Sequence, residues 1–306
     1  ISGIGHAQQY PVRPIRLIIP GGAGTSGDIG GRLVASELAK QFGQQVVVDN
    51  RPGASAIIAL DLLARAAPDG YTIGNTPFNL ITNSFAYAKL PYDSTKDFQP
   101  IIWSSTTANL LAVTPALPVH SVKDLIAHAR TNPDKLTFGG GGSGSSMHLS
   151  FELFKSMAKV NLVRVTYRGV GAAVTALMGA QGQVMFAAPA AVLPHIKSGR
   201  LRAIAVTSAE PSALAPGLPT VASTGIPGYE SIIIFGAFAP AKIPNGLVAK
   251  LHQDMVRALS KTEIKEKFFN AGMEVVGSTP SALAVKVNAE MDSLRKVIKE
   301  TGIRED

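Results

Sequence analysis

At 306 residues, 46% hydrophobic and 16% charged, the chain is long enough for two domains with separate cores and too apolar to be mainly disordered. Its net charge of +8 comes from basic residues scattered along the sequence and locally dense only across Lys261–Lys267, so it lacks the basic stripe of a nucleic-acid binder. It contains no cysteine, which excludes disulfides and thiolate sites, and its six histidines form no His-x-x-x-His pair, so no metal site is expected.

The first residues, ending in Gly5-His6-Ala7, resemble the close of a signal peptide ahead of Gln8, with an artificial leader as the alternative. Ile15–Ile19 then reads as a β-strand that breaks at Pro20. Gly21–Gly27 can only be a loop. Asp28 stands at a helix N-cap position, before Ile29, Leu33, Val34 and Leu38 on one helical face. Gly43 ends that helix and Val46–Val48 is a second strand. A helix over Ser55–Ala66 follows, and Pro68-Asp69-Gly70 turns into a strand over Tyr71–Gly74. Strand–helix alternation of this kind predicts a mainly parallel sheet covered by helices.

Near Ile101 the pattern restarts. Ser121 caps a helix, with Asp124 three positions on as a capping-box variant. Leu136–Phe138 is a strand, Gly139–Ser145 a second Gly-rich loop, and Met147–Met157 a helix. Further strands are expected over Leu162–Tyr167, Val184–Phe186 and Leu201–Val206, and little regular structure over Ser208–Pro227. The longest apolar run, Ile232–Ala239, is far short of the ~20 residues that span a bilayer and reads as a buried strand. Another helix opens near Pro244. Thr279 caps the last one, with Pro280 in its first turn. Two α/β modules therefore each run a strand through a Gly-rich loop into a helix, and a cleft between them is the expected ligand site.

A helix N-terminus offers unpaired N–H groups and the positive end of the dipole, and glycines let a bound anion come close. Loop one, Pro20 to Asp28, and loop two, Phe138 to His148, both add hydroxyls suited to a carboxylate or phosphate. The competing reading is an NAD(P)-dependent oxidoreductase. Gly22-Ala23-Gly24-Thr25-Ser26-Gly27 fits G-x-G-x-x-G, and Asp49 ends the next strand roughly 20 residues on. No hydride-transfer constellation accompanies it. Ser143 and Ser145 lack the glycine spacing of a hydrolase nucleophile, so no catalytic residue and no cofactor are expected. Asp28 reads as a plain cap or a pocket group. His148 and Arg168 divide between cleft and ordinary positions, and Phe186 between core and cleft.

The segments Arg13–Pro20, Asn50–Ala54, Ala67–Thr72, Lys89–Asp93 and Lys96–Phe98 occur in an order that is familiar as a set. His148-Leu149, Leu193–Ile196, Gly199–Ala203, Pro219–Val221 and Gly228–Glu230 continue it. From Tyr10 to the last helix the chain resembles the solute receptors of tripartite tricarboxylate transporters, the Bug family. The resemblance implies an exported, periplasmic, two-lobed binding protein of the type II-like α/β class, with two doubly wound, mainly parallel sheets joined by crossover strands. Lobe one would comprise residues 8–104 and 236–306, and lobe two residues 105–235. The partners implied are a small carboxylate, an aromatic or dicarboxylic acid among the candidates, and membrane transporter subunits, with no nucleic acid. Carried over by position, the ligand contacts are Gly22, Ala23, Gly24, Thr25, Asp28, Thr76 and Asn79 in lobe one. In lobe two they are Ser143, Ser145, Ser146, His148, Arg168, Phe186 and Ala188. Two departures stand out. Loop one ends Thr25-Ser26-Gly27-Asp28, which leaves open which hydroxyl faces the ligand. Ala187-Ala188 stands where many relatives carry an aspartate, which disfavours an ammonium-bearing ligand.

Overall fold

Ile15–Ile19 is buried at nearly every position, so β1 forms the centre of a sheet rather than an edge. The computed structural model describes residues 10–76, 79–140, 145–167 and 170–301. In chain order β1 leads to helix α1 (Ser26–Phe42) and β2 (Val46–Asn50), then to a 3-10 turn at Ala54–Ala56 and α2 (Ile57–Ala64). β3 (Thr72–Thr76), α3 (Asn79–Ala86) and the long β4 (Phe98–Ala108) complete this stretch. The second module runs β5 (Leu110–Val113), α4 (Val122–Thr131), β6 (Thr137–Gly140) and α5 (Ser146–Ala158). It continues with β7 (Val163–Thr166), α6 (Val170–Met178), β8 (Val184–Ala187), α7 (Pro189–Lys197), β9 (Arg202–Val206) and the single turn α8 (Val221–Thr224). The chain then returns through β10 (Ile232–Pro240), α9 (Asn245–Leu259), α10 (Thr262–Asn270), β11 (Glu274–Val275) and α11 (Pro280–Thr301).

Six strands form one sheet in the order β11-β4-β10-β3-β1-β2, and five form the other in the order β7-β6-β8-β5-β9. The two-lobed α/β architecture is as expected, but the sheets are mixed rather than mainly parallel. β1 pairs parallel with β2 and β3, and β6 with β7 and β8. β10 runs antiparallel to both β3 and β4, β11 to β4, and β5 to both β8 and β9. The reason is the crossover. β4 carries the chain out of the first sheet and β10 carries it back, so the two must run opposite ways, and hydrophobic periodicity does not report direction. Ala108 pairs with Ile232 in the first sheet. The change of sheet thus falls at Asn109 and Ser231, a few residues from the expected boundaries at 104 and 236.

Those two residues are knotted together. The Asn109 amide donates to Thr207 Oγ1 at 2.8 Å and the Ser231 amide to the Thr207 carbonyl at 2.8 Å. Ser150 Oγ lies 2.7 Å from Ser231 Oγ and 3.0 Å from Asn109 Nδ2, and Tyr229 donates to the Ser150 carbonyl. All backbone donors and acceptors at the crossing thereby find partners without sheet pairing. Leu149 of α5 adds an apolar tie, buried in the same cluster as Leu80, Ile81, Ile234 and Leu283 of the first module.

Candidate functional site

β1 and β3 are neighbouring parallel strands, so the helices that follow them, α1 and α3, begin side by side at one end of the first sheet. α5 begins after the parallel strand β6 of the second sheet. All three N-termini meet around one cavity of about 350 Å³, near the lower end of the range for ligand pockets. Gly21, Thr25, Ser26 and Gly27 supply the α1 side, Asn79 and Thr82 the α3 side, and Ser145 and Ser146 the α5 side. Ile19, Ile233 and Phe235 form an apolar wall. No Asp, Glu, Lys or Arg is among the described residues that line it.

The loops hold their shape by internal hydrogen bonds. Thr25, not Asp28, is the N-cap of α1: its Oγ1 accepts from the Asp28 amide and donates to the Gly22 carbonyl at 2.8 Å. Asp28 sits at the third helical position, only 3% exposed. Its carboxylate accepts from the Gly24 amide at 2.9 Å, from Arg32 Nε at 2.9 Å and from Asn50 Nδ2 at 2.9 Å. Asn50 also donates to the Gly21 carbonyl. Burial pushes the Asp28 carboxyl up, but these three donors together hold it below its ordinary value. Gly21 cannot bear a side chain, since a Cβ there would meet Thr25 Oγ1 at 2.6 Å. In loop two Ser145 is the N-cap of α5 and accepts from the His148 amide at 3.3 Å.

The hydroxyls therefore differ. The Thr25 proton is spent on Gly22, so the loop-one hydroxyl left for a ligand is that of Ser26. Ser145 accepts from the helix but keeps its own proton to donate. Ser26 and Ser146 make no side-chain hydrogen bond among the described residues, and the amides of Ser26, Gly27, Ser146 and Met147 belong to the unpaired first turns of their helices. Two opposed first turns with hydroxyls and no acidic wall can surround a small anion, and the Ile19–Ile233–Phe235 wall suits an apolar stem.

Of the expected contacts, Thr25, Asn79, Ser145 and Ser146 come together on this cavity. Gly22, Ala23 and Gly24 form the rim of loop one, Ala23 and Gly24 facing solvent and the Gly24 amide already held by Asp28. Thr76 is buried at the end of β3, and Ala188 is the half-buried N-cap of α7. Ser143 and Arg168, like residues 1–9, lie outside the described residues.

Two of the expected contacts are not in the lining of this cavity. Phe186 is fully buried, its ring 5.9 Å from Phe138, 5.7 Å from Phe154 and 6.5 Å from Tyr229, because every residue of β8 faces packed structure. It is a core residue of the second module. His148 is 2% exposed, with Nε2 3.0 Å from Arg164 and 3.6 Å from Glu152. Burial raises the Glu152 carboxyl, but the His148 contact and Lys155 outweigh it and hold it below the ordinary range. His148 thus ties α5 to Arg164 of β7 and is not among the residues that line the cavity. Sequence reading missed Ser26, Thr82 and the wall residues Ile19, Ile233 and Phe235. The signal for Ser26 was available, because it follows the cap as Ser146 follows Ser145.

The dinucleotide reading finds no support. Asp49, the would-be ribose ligand, is held by Arg16 Nε at 2.7 Å and Arg51 Nε at 2.8 Å. Comparison with known proteins points elsewhere. The profile of the family described as "Tripartite tricarboxylate transporter family receptor" matches residues 31–303. Protein BugT of Bordetella pertussis is 32% identical over 97% of this chain and 92% of its own length. The solved structure of R. palustris Rpa4515 with adipate is 35% identical, with a TM-score of 0.82 over 96% of this chain and 98% of that one. MatC from Rhodopseudomonas palustris, solved with bound malate, is 28% identical, with a TM-score of 0.78 over 94% of this chain and 100% of that one. The chain belongs to the tripartite tricarboxylate transporter receptor family.

Proposed function

We propose that this protein is a periplasmic solute receptor that captures a small organic carboxylate between loops one and two and presents it to the membrane subunits of a tripartite tricarboxylate-type transporter. The observation that carries the reading is the shared cavity: the first turns of α1 and α5 border it together, with the Ser26, Ser145 and Ser146 hydroxyls and no acidic side chain among the described lining. Membership of a receptor family and the adipate and malate of two similar structures support the same ligand chemistry. No helix among the described residues is long and apolar enough to cross a membrane, in keeping with a protein that meets its transporter at the membrane surface. The reading assigns the chain no chemical step.

Calorimetric titration with small carboxylates and their methyl esters tests it. A hydrogen bond to a charged group is worth ~1.5–3 kcal/mol, so Ser146→Ala should weaken binding by about one to two decades. Esterifying the carboxylate should cost more, because every donor loses the charge at once. An ester that binds as well as its acid would sink the reading.

A further inference from the structure

The two modules are knotted at Asn109 and Ser231, but beside the knot their interface is broken by cavities. One of about 670 Å³ separates α7 and the loop at 213–218 of the second module from the end of α10 in the first, where Phe269 stays 44% exposed. Another of about 540 Å³ lies between α5 and α11. Close packing fixes how two bodies sit, and here it is incomplete. Polar ties then decide the arrangement.

Glu274 makes such a tie. It lies in β11 and pairs with Thr106 of β4, three residues before the crossing at Asn109. Its carboxylate reaches into the second module, where Oε1 accepts from the Ala213 amide at 2.9 Å and from Ser212 Oγ at 3.1 Å. Ser212 Oγ also accepts from the Leu214 amide, and the Ser212 carbonyl accepts from the Ala215 amide. The carboxylate thus grips a closed turn rather than a loose loop. The modules touch nearby as well, since a Cβ on Gly272 would stand 3.5 Å from that of Ala190 in the first turn of α7. At the other cavity Lys286 of α11 pairs with Glu230 at 2.8 Å, but Glu230 adjoins Ser231, at the pivot itself.

The ligand cavity takes Ser26 from the first module and Ser145 and Ser146 from the second, so it is complete only when the modules are held together. We propose that Glu274 is a positioning residue: by gripping the turn at 212–215 it keeps the modules in the arrangement in which the α1 and α5 starts border one cavity. The inference rests on the carboxylate-receptor reading above. A receptor whose competent arrangement is only partly populated binds in proportion more weakly, so Glu274 raises affinity without lining the cavity.

The chain contains no cysteine, so Val47→Cys and Val163→Cys can be spin-labelled at those two places alone. Both residues are exposed, on β2 and β7, the edge strands of the two sheets away from the crossing. In this background Glu274→Ala should broaden the label distances of the unliganded protein toward longer values. Saturation with adipate or malate, whichever binds the wild type tighter, should restore them. By calorimetry the same variant should bind that acid about fivefold more weakly, the low end of conformational coupling, and Glu274→Gln, which keeps an acceptor oxygen, should recover part of the loss. Melting curves check folding. Should Glu274→Ala not fold, Ser212→Ala removes one donor of the same tie and should shift distances and affinity the same way. Wild-type distances or wild-type affinity in these variants overturn the proposal. So does tighter binding, which would mean that the tie holds an arrangement unable to bind. A wild type that binds neither acid counts against the carboxylate reading, and the unliganded distances then decide the tie by themselves.

Discussion

Asp28 keeps a full negative charge beside a cavity suited to an anion, and its neighbours explain why that is tolerable. Arg32, Asn50 and the Gly24 amide all point at its carboxylate, so its charge is spent on holding loop one in shape. A group whose folded pKa is depressed contributes stability above its unfolded pKa and loses it as pH falls through the folded one. For Asp28 that loss lies below its ordinary 3.8. Asp28→Asn should therefore melt lower than the wild type by a constant margin from about pH 7 to about pH 5, and the margin should shrink below about pH 4. A margin unchanged at about pH 3 would show that the charge contributes nothing. At this scale the sequence was half legible. A Gly-rich loop with a following acid marks an anion-binding turn, but whether the acid caps the helix, meets the ligand or braces the loop depends on Arg32 and on Asn50, 22 positions along the chain from Asp28. Phe186 and His148 were illegible for the same reason: a strand end and a first helical turn each have two sides, and only packing says which side a residue takes.

Two of the helices that begin at the cavity, α1 and α5, share one device. Thr25 and Ser145 each accept from the amide three residues on, and the next residue, Ser26 or Ser146, faces the ligand space. Neighbouring serines of loop two therefore have different duties. Ser145→Ala should cost about 1 kcal/mol of stability as the loss of an N-cap, seen as a melting temperature lower by a few degrees. Ser146→Ala should leave the melt of the unliganded protein almost unchanged while weakening binding. Equal melting losses in the two variants would contradict this division. Elements were the most legible level. Capping signals at Ser121 and Thr279 and the apolar runs located most helices and strands to within two residues, since side-chain period and capping chemistry are local. The split of the Ser55–Ala66 helix into a 3-10 turn and α2 was not legible, because Ala54, Ser55 and Ala56 adopt positive φ that no local residue preference signals.

The molecule as a whole is two sheets joined at Asn109 and Ser231, with the cavity where helices from both sheets start. Sequence alternation revealed the two modules and their Gly-rich loops. It could not reveal the antiparallel return of β10, the Thr207 knot or the apolar wall, which arise only when segments distant in the chain meet. The measurement that tests the account most directly is a crystal structure of the protein with whichever small carboxylate raises its melting temperature most. The account predicts a carboxylate with its oxygens roughly 3 Å from the first-turn amides and hydroxyls of both Ser26 and Ser146. A ligand bound to one sheet alone, or seated away from these two helix starts, would contradict it.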